Sequence, residues 1–154
     1  MKHLNEKQHL ELWLNYTPYY IETNQHEYGI VFTETLIKQF GDDHRLYANL
    51  GAFQAMIKDD NNAIKNLEKA VKINPNSPLN TWNLARLYDY QGKYKKADQL
   101  YERALSLKAG EYDTDLEPND YCVYAEFLYE RAGKKAKACE MFKSYCKSDI
   151  VVCE

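Results

Sequence analysis

Apolar and small side chains recur three and four positions apart between residues 44 and 111. In the first such run Tyr47, Leu50 and Gly51 fall at positions i, i+3 and i+4, and a second run begins at Ala63 after a polar stretch. This spacing places the apolar side chains along one face of an α-helix. The pattern therefore predicts a pair of helices in this first stretch, and the same arrangement follows in the next one.

The two stretches repeat with a fixed period. The interval from Leu50 to Leu84 equals the interval from Ala63 to Ala97. A constant period of this length, about 34 residues, is typical of stacked helical hairpins. Small residues such as Gly51 would let the two helices of one hairpin approach closely.

At these positions the sequence resembles the tetratricopeptide repeat family, whose pattern is Trp-x2-Leu-Gly-x2-Tyr followed by Ala-x3-Phe and Pro. The first copy matches it at Tyr47, Leu50, Gly51, Ala63, Leu67, Ala70 and Pro75, and the second at Leu84, Ala85, Tyr88, Gly92, Ala97, Tyr101 and Ala104. The resemblance implies an all-α fold, a right-handed superhelix (α-solenoid) of stacked antiparallel helix pairs with about eight helices. The second copy departs at its start, because Thr81 holds the Trp position and Trp82 follows one residue late.

We predict a single domain over residues 1–154 made of four units. The clear units occupy residues 44–77 and 78–111, a degenerate unit occupies about 10–43, and a further unit occupies about 119–152.

Two local features of the outer units leave alternatives open. In the first unit we expect helices near 5–16 and 25–40, the latter ended by Gly41, and Pro18 either kinks the first helix or begins a new one capped by Thr17. In the last unit, one register places Glu126 in a small-residue position. A register shifted by one residue, with an extra residue in the following turn, is favoured because it places Ala125 there instead.

Charge and hydropathy limit the partners and the location. The net charge of −3 provides no general attraction to nucleic acid or to an anionic membrane, so neither is expected as a partner. No apolar run is long enough to span a membrane, and residues 1–8 lack the apolar stretch of a signal peptide. A cytoplasmic location is expected unless the sequence is a trimmed fragment.

The four cysteines, Cys122, Cys139, Cys146 and Cys153, all lie in the C-terminal part of the chain. No Cys-x2-Cys pair occurs and every histidine lies at or before His44, so neither a metal site nor a cofactor is expected. We expect the cysteines to be small packing residues, with a redox-sensitive thiol stripe as the alternative. Disulfides are the least expected arrangement in a cytosolic helical protein.

No phosphate-binding loop, nucleophile elbow or His-x3-His pair occurs, so the chain is not expected to be an enzyme. The expected function is a non-catalytic protein–protein interaction module, an adaptor or co-chaperone-like scaffold that binds a protein or peptide partner. The resemblance implies that first helices of the repeats line a concave groove that binds a peptide or helix. The predicted groove positions are Arg45, Ala48, Asn49, Ala52, Ala55 and Met56 on the first clear unit, and Leu79, Trp82, Asn83, Arg86, Asp89 and Tyr90 on the second.

Three groove positions carry most of the argument about partner type. Trp82 either faces the groove as a partner anchor or packs between adjacent repeats. Some family members hold a chaperone's C-terminal carboxylate with a clamp of Lys, Asn and Arg, and the resemblance would place the Lys at Ala48 and an Asn at Ala52. Because alanine cannot bind a carboxylate, that clamp is not expected here.

An alternative function is a structural subunit that self-associates or packs into a larger assembly through its C-terminal helix. Residues 149–153 read Asp-Ile-Val-Val-Cys, which is apolar for an exposed chain end. Repeat arrays usually need a polar terminal face, so this tail could pack against a second copy and form a homodimer.

Overall fold

The structure is a computed structural model that describes residues 5–110, 113–146 and 153. The chain folds into helices joined by short turns, and these residues contain no β-strand. The helices are α1 (Glu6–Leu14), α2 (Thr17–Glu22), α3 (His26–Phe40), α4 (His44–Met56), α5 (Asp60–Ile73), α6 (Pro78–Tyr90), α7 (Tyr94–Ser106), α8 (Pro118–Glu130) and α9 (Lys135–Tyr145). The all-α prediction is confirmed.

The described residues form one helix more than expected because the chain breaks near Pro18. Helix α1 ends at Leu14, and α2 begins at Thr17 with Pro18 in its first turn, where a missing N–H costs no hydrogen bond. Tyr16, rather than Thr17, precedes α2 as its cap residue. The expected long helix of this unit is α3, and it ends immediately before Gly41 as predicted.

The helices group into two compact units, Met1–Pro75 and Asn76–Glu154. The first contains α1 to α5, and the second contains α6 to α9. Within them α4 packs with α5, α6 with α7 and α8 with α9, which are the helix pairs expected of a hairpin repeat. The division of the whole chain into one domain of four repeats stays a prediction.

Gly51 sets the separation of α4 and α5. A Cβ atom at this position would lie 2.8 Å from Cγ of Leu67 and 3.0 Å from the carbonyl oxygen of Ala63. Only a residue without a side chain permits so close an approach. The corresponding positions of the next pair, Ala85 and Ala97, are fully buried. The expected role of small residues between paired helices is confirmed.

An aromatic cluster forms the core of the second unit. Tyr101 of α7 is fully buried, and its ring centroid lies 4.6 Å from that of Trp82, 5.3 Å from Tyr124 and 5.1 Å from Phe127. The cluster therefore joins α6, α7 and α8. Aromatic rings at these distances add packing energy beyond their buried area.

Helix α8 has the shifted register. Ala125 is fully buried, whereas Glu126 is exposed. The turn after α8 carries the extra residue, because the N–H of Lys134 donates to the carbonyl of Leu128, a separation of six residues. The corresponding bond in the preceding pair joins positions only five residues apart.

The expectation that the cysteines are unpaired packing residues is wrong. Cys122 of α8 is bonded to Cys146, and Cys139 of α9 is bonded to Cys153. Helix α9 ends at Tyr145, so Cys146 and Cys153 lie beyond the helix and not along one face of it. The remainder of the predicted apolar tail, residues 149–152, lies outside the described residues.

Candidate partner-binding surface

The predicted groove positions of the first unit lie on α4, and two of them contact the preceding helices. Arg45 donates to the carboxylate of Glu11 in α1 and, at 2.9 Å, to Oδ2 of Asp43. Burial alone would lower the pKa of Arg45, but the hydrogen bonds to Asp43 and Glu11 outweigh it and raise the pKa. Asn49 Nδ2 donates to Oγ1 of Thr17 in α2 at 3.1 Å. Arg45 and Asn49 therefore position α1 and α2.

The remaining predicted groove positions on α4 differ in solvent exposure. Ala48 is buried, Ala52 and Ala55 are half-buried, and Met56 at the end of the helix is exposed. On α4 the accessible part of the predicted groove face is therefore the C-terminal end, near Met56.

Trp82 does not face outward, so its prediction as a partner anchor is wrong. Its side chain is only 2% exposed and packs edge-on against Tyr101 of α7. The alternative, packing between helices, describes its environment. A binding partner cannot reach this indole without unfolding part of the second unit.

Four other predicted positions on α6 form a continuous accessible stripe. Leu79, Arg86 and Tyr90 are exposed, and Asn83 between them is half-buried. Successive members are three or four residues apart, so they lie along one helix face. We call Leu79, Asn83, Arg86 and Tyr90 the α6 stripe. It presents an aliphatic side chain, an amide, a cation and an aromatic ring in that order.

Asp89 borders this stripe but is bound within the second unit. Its Oδ2 accepts a hydrogen bond from Nη1 of Arg131 at 3.3 Å. Burial raises the pKa of Asp89, and the positive charges of Arg131 and Arg86 only partly oppose that shift. Asp89 is therefore a helix-positioning residue and not a freely accessible groove side chain.

Sequence reasoning missed two features of the first unit. Glu11 was not singled out, although it lies one repeat period before Arg45 and therefore occupies the same repeat position; that spacing was the available signal. Trp13 and Tyr16 lie one repeat period before Tyr47 and Leu50 and so share their core positions, but they are exposed. The break between α1 and α2 explains this, because neither short helix covers α3 along its length.

No group of three or more His, Cys, Asp or Glu side chains among the described residues is placed to hold a metal ion. None of the described helices is both long and apolar enough to cross a membrane.

Comparison with known proteins identifies the repeats. Residues 44–77 and 83–114 each match a family model of the tetratricopeptide repeat. Human Superkiller complex protein 3 is 25% identical over 96 residues, which are 62% of this chain, and the chain spans only 6% of that protein's length.

Solved structures show the same fold. The crystal structure of MamA superimposes with a TM-score of 0.67 at 24% identity, covering 88% of this chain and 70% of that one. The TPR2B domain of yeast Sti1, solved in a complex with pHsp70, gives a TM-score of 0.58 at 18% identity, covering 88% and 91%. The predicted α-solenoid fold of paired helices is thereby confirmed.

Proposed function

Since this chain is a tetratricopeptide repeat protein, we propose that it is a non-catalytic protein-interaction scaffold that binds a peptide or helix of a partner protein. Stacked hairpins of this family offer an extended surface built from the first helix of each pair. The α6 stripe is the observation that carries the proposal. Its four side chains lie in line on such a first helix, and Tyr90 is 71% exposed.

The chemistry of the stripe suits a mixed polar and apolar peptide. Arg and Tyr are enriched among residues that dominate binding energy, because each combines apolar area with directional hydrogen bonding. Arg86 would bind a carboxylate or carbonyl oxygen of the partner. Leu79 and Tyr90, at the two ends of the stripe, would bind apolar side chains.

The Sti1 domain supports a peptide or protein as the partner, because that domain was solved in a complex with pHsp70. A co-chaperone-like adaptor role is therefore part of the proposal. Ala48 and Ala52 lack the polar atoms of a carboxylate clamp, so recognition would not depend on a free chain terminus.

A matched pair of variants tests the stripe. Partner proteins are captured from lysate with the unaltered protein, with Tyr90→Ala and with Tyr28→Ala, and the affinity of the captured protein is then measured. Tyr28 lies on α3 and is 68% exposed, which makes it a control of nearly equal exposure. We expect Tyr90→Ala to weaken binding and Tyr28→Ala to leave it unchanged. Equal binding by all three proteins would refute the stripe as the binding face.

The alternative function is a structural subunit that self-associates through its C-terminal helix. The Cys139–Cys153 bond holds Cys153 beside α9, so a second copy that contacts α9 would also meet Cys153. Sedimentation velocity at several concentrations tests this. A dimer that forms with rising concentration and is lost in Ile150→Ser/Val152→Ser would favour it, and a monomer throughout would exclude it.

The cytoplasmic location stays a prediction, and the two disulfides favour an oxidising compartment instead. Thiol blocking during lysis of the native cells, followed by measurement of the protein's mass, distinguishes a cytoplasmic location from an oxidising compartment. Four blocked thiols would support the cytoplasm, and none would support an oxidising compartment.

A further inference from the structure

Five aromatic rings form a continuous row across the first three helices. In order they are Tyr16, Trp13, Phe32, Tyr20 and Tyr19, with successive centroid distances of 5.9, 6.2, 5.2 and 5.4 Å. Trp13 lies at the end of α1 and Tyr16 in the turn that follows it. Phe32 lies on α3, and Tyr20 and Tyr19 lie on α2. We call these five residues the aromatic row.

Three rings of the aromatic row are open to solvent. Trp13 is 43% exposed, Tyr16 57% and Tyr19 52%. Phe32 and Tyr20, at the centre, are half-buried and support the others. Single exposed aromatic residues are common, but a contiguous exposed group marks a binding surface.

Acidic side chains lie beside the Tyr19 end of the aromatic row. Of the seven Asp and Glu side chains in residues 5–43, three are already paired with Arg45 or Lys69, so the charge available to a partner is that of the exposed carboxylates. Glu22 and Glu27 are exposed at the end of α2 and the start of α3. Glu22 follows Tyr19 by three residues, so the two share a face of α2. An aromatic surface with acidic neighbours attracts a positively charged partner.

We propose that the aromatic row binds an extended segment of a partner protein that is rich in arginine and proline. Guanidinium groups stack on aromatic faces and also bind carboxylates such as Glu22. Proline rings pack between aromatic side chains, and a proline-rich segment is already extended, so little conformational entropy is lost on binding. The row crosses three helices, which suits an extended chain better than a helix lying in a groove.

This surface shares no residue with the α6 stripe and does not depend on it. The proposed scaffold would then hold two different partner segments, one on each unit. The failure of one surface would leave the other unaffected, so the two proposals can be tested separately.

Trp13 provides a direct fluorescent reporter. The chain has two tryptophans, and replacing the buried one, Trp82→Phe, leaves Trp13 as the single emitter. The probe is a synthetic peptide of repeated Arg-Pro-Pro units. Peptides of repeated Glu-Pro-Pro and Arg-Gly-Ser units serve as controls for charge and for conformation. Calorimetric titration of the unaltered protein gives the same affinity without any substitution.

We expect a saturable change in Trp13 emission with the Arg-Pro-Pro peptide, weakened by added salt, and none with the Glu-Pro-Pro peptide. Tyr16→Ser/Tyr19→Ser should weaken binding by about tenfold or more, because exposed aromatic anchors dominate such interfaces. Tyr94 is an exposed tyrosine on α7 that belongs to neither proposed surface, so Tyr94→Ser should leave the affinity unchanged. No saturable binding, equal binding of either control peptide, or an equal loss in Tyr94→Ser would overturn the proposal. Circular dichroism confirms that each variant is folded.

Discussion

Lys58 and Gly92 occupy equivalent positions in successive repeats, and both hold the backbone in the left-handed region, with φ of 64° and 72°. In both turns the next N–H donates at 2.9 Å to a carbonyl five residues earlier, from Asp59 to Gln54 and from Lys93 to Tyr88. A third left-handed residue, with φ of 57°, lies one further repeat period before Lys58, at Asn24. The turn geometry therefore recurs within residues 10–43, where the side-chain pattern of the repeat is weak.

Exchanging the residues of this pair should change stability in opposite directions. A side chain in the left-handed region costs about 1 kcal/mol relative to glycine. We expect Lys58→Gly to raise the free energy of unfolding by about that amount and Gly92→Lys to lower it by a similar amount. Urea denaturation of the two variants measures both. A change of the same sign in both would show that the backbone angle is not the cause.

Trp82 and Tyr90 lie on the same helix but should respond oppositely to truncation. Trp82→Ala should lower the free energy of unfolding by about 3–5 kcal/mol, because it leaves a cavity against Tyr101. Tyr90→Ala should change it by no more than about 0.5 kcal/mol, since the ring is exposed. Chemical denaturation followed by circular dichroism measures both values. Comparable losses would contradict the assignment of Trp82 to the core and Tyr90 to the surface.

Asp43 and Asp89 should give opposite pH dependences. Burial alone would raise the pKa of Asp43, but hydrogen bonds from the side chain and backbone of Arg45 outweigh it, so the pKa is lowered. Asp43 therefore stabilises the fold above its ordinary pKa of 3.8, and that contribution is lost as the pH falls below this value. Burial raises the pKa of Asp89, so stability is lost as the pH rises above the ordinary value of 3.8, and the loss is complete once the pH exceeds the raised value.

Two asparagine variants test these signs. At neutral pH Asp43→Asn should lower the free energy of unfolding and Asp89→Asn should raise it. Asparagine still caps a helix, so the first change isolates the charge. Both differences should shrink in acid, as the aspartates of the unaltered protein become protonated. Urea unfolding across the acidic range measures this, and parallel curves would refute the assignment.

Reduction should destabilise the last helix pair. Each disulfide restricts the unfolded chain, and removing one typically costs about 2–4 kcal/mol. We expect dithiothreitol to lower the melting temperature of the unaltered protein. Cys122→Ser/Cys146→Ser should lower it without reductant. A variant with all four cysteines replaced by serine should melt at the same temperature with and without dithiothreitol, and an unaltered melting temperature in the reduced protein would contradict the pairing.

The repeat period predicted the paired helices because it follows from local packing rules. Helices α4 and α6 begin at His44 and Pro78, which are one repeat period apart. The same rules could not predict whether the side chain of Trp82 is buried or exposed. Eight of the 13 residues of α6 are buried, including the adjacent Thr81 and Trp82, so the buried surface is wider than the single face that periodicity assumes.

The disulfides and the contacts of α4 depend on information that a periodic pattern does not contain. Cys146 meets Cys122 because the end of α9 lies beside the start of α8, where the rings of Tyr121 and Tyr145 also stack 4.5 Å apart. A periodic pattern does not fix the exact residue at which a helix ends. Here the end of α9 determines that Cys146 bonds to Cys122. The contact of Arg45 with Glu11 likewise depends on where α1 lies after the chain breaks.

The Cys122–Cys146 bond makes the last described helix pair harder to open than α1. An unlinked helical repeat frays at either end, since terminal helices have neighbours on one side only. Here the last helix pair is tied covalently, whereas α1 is held by the Arg45–Glu11 pair and by the packing of Leu10 in a small apolar cluster. Among the described helices we therefore expect α1 to open at a lower free energy than α8 and α9.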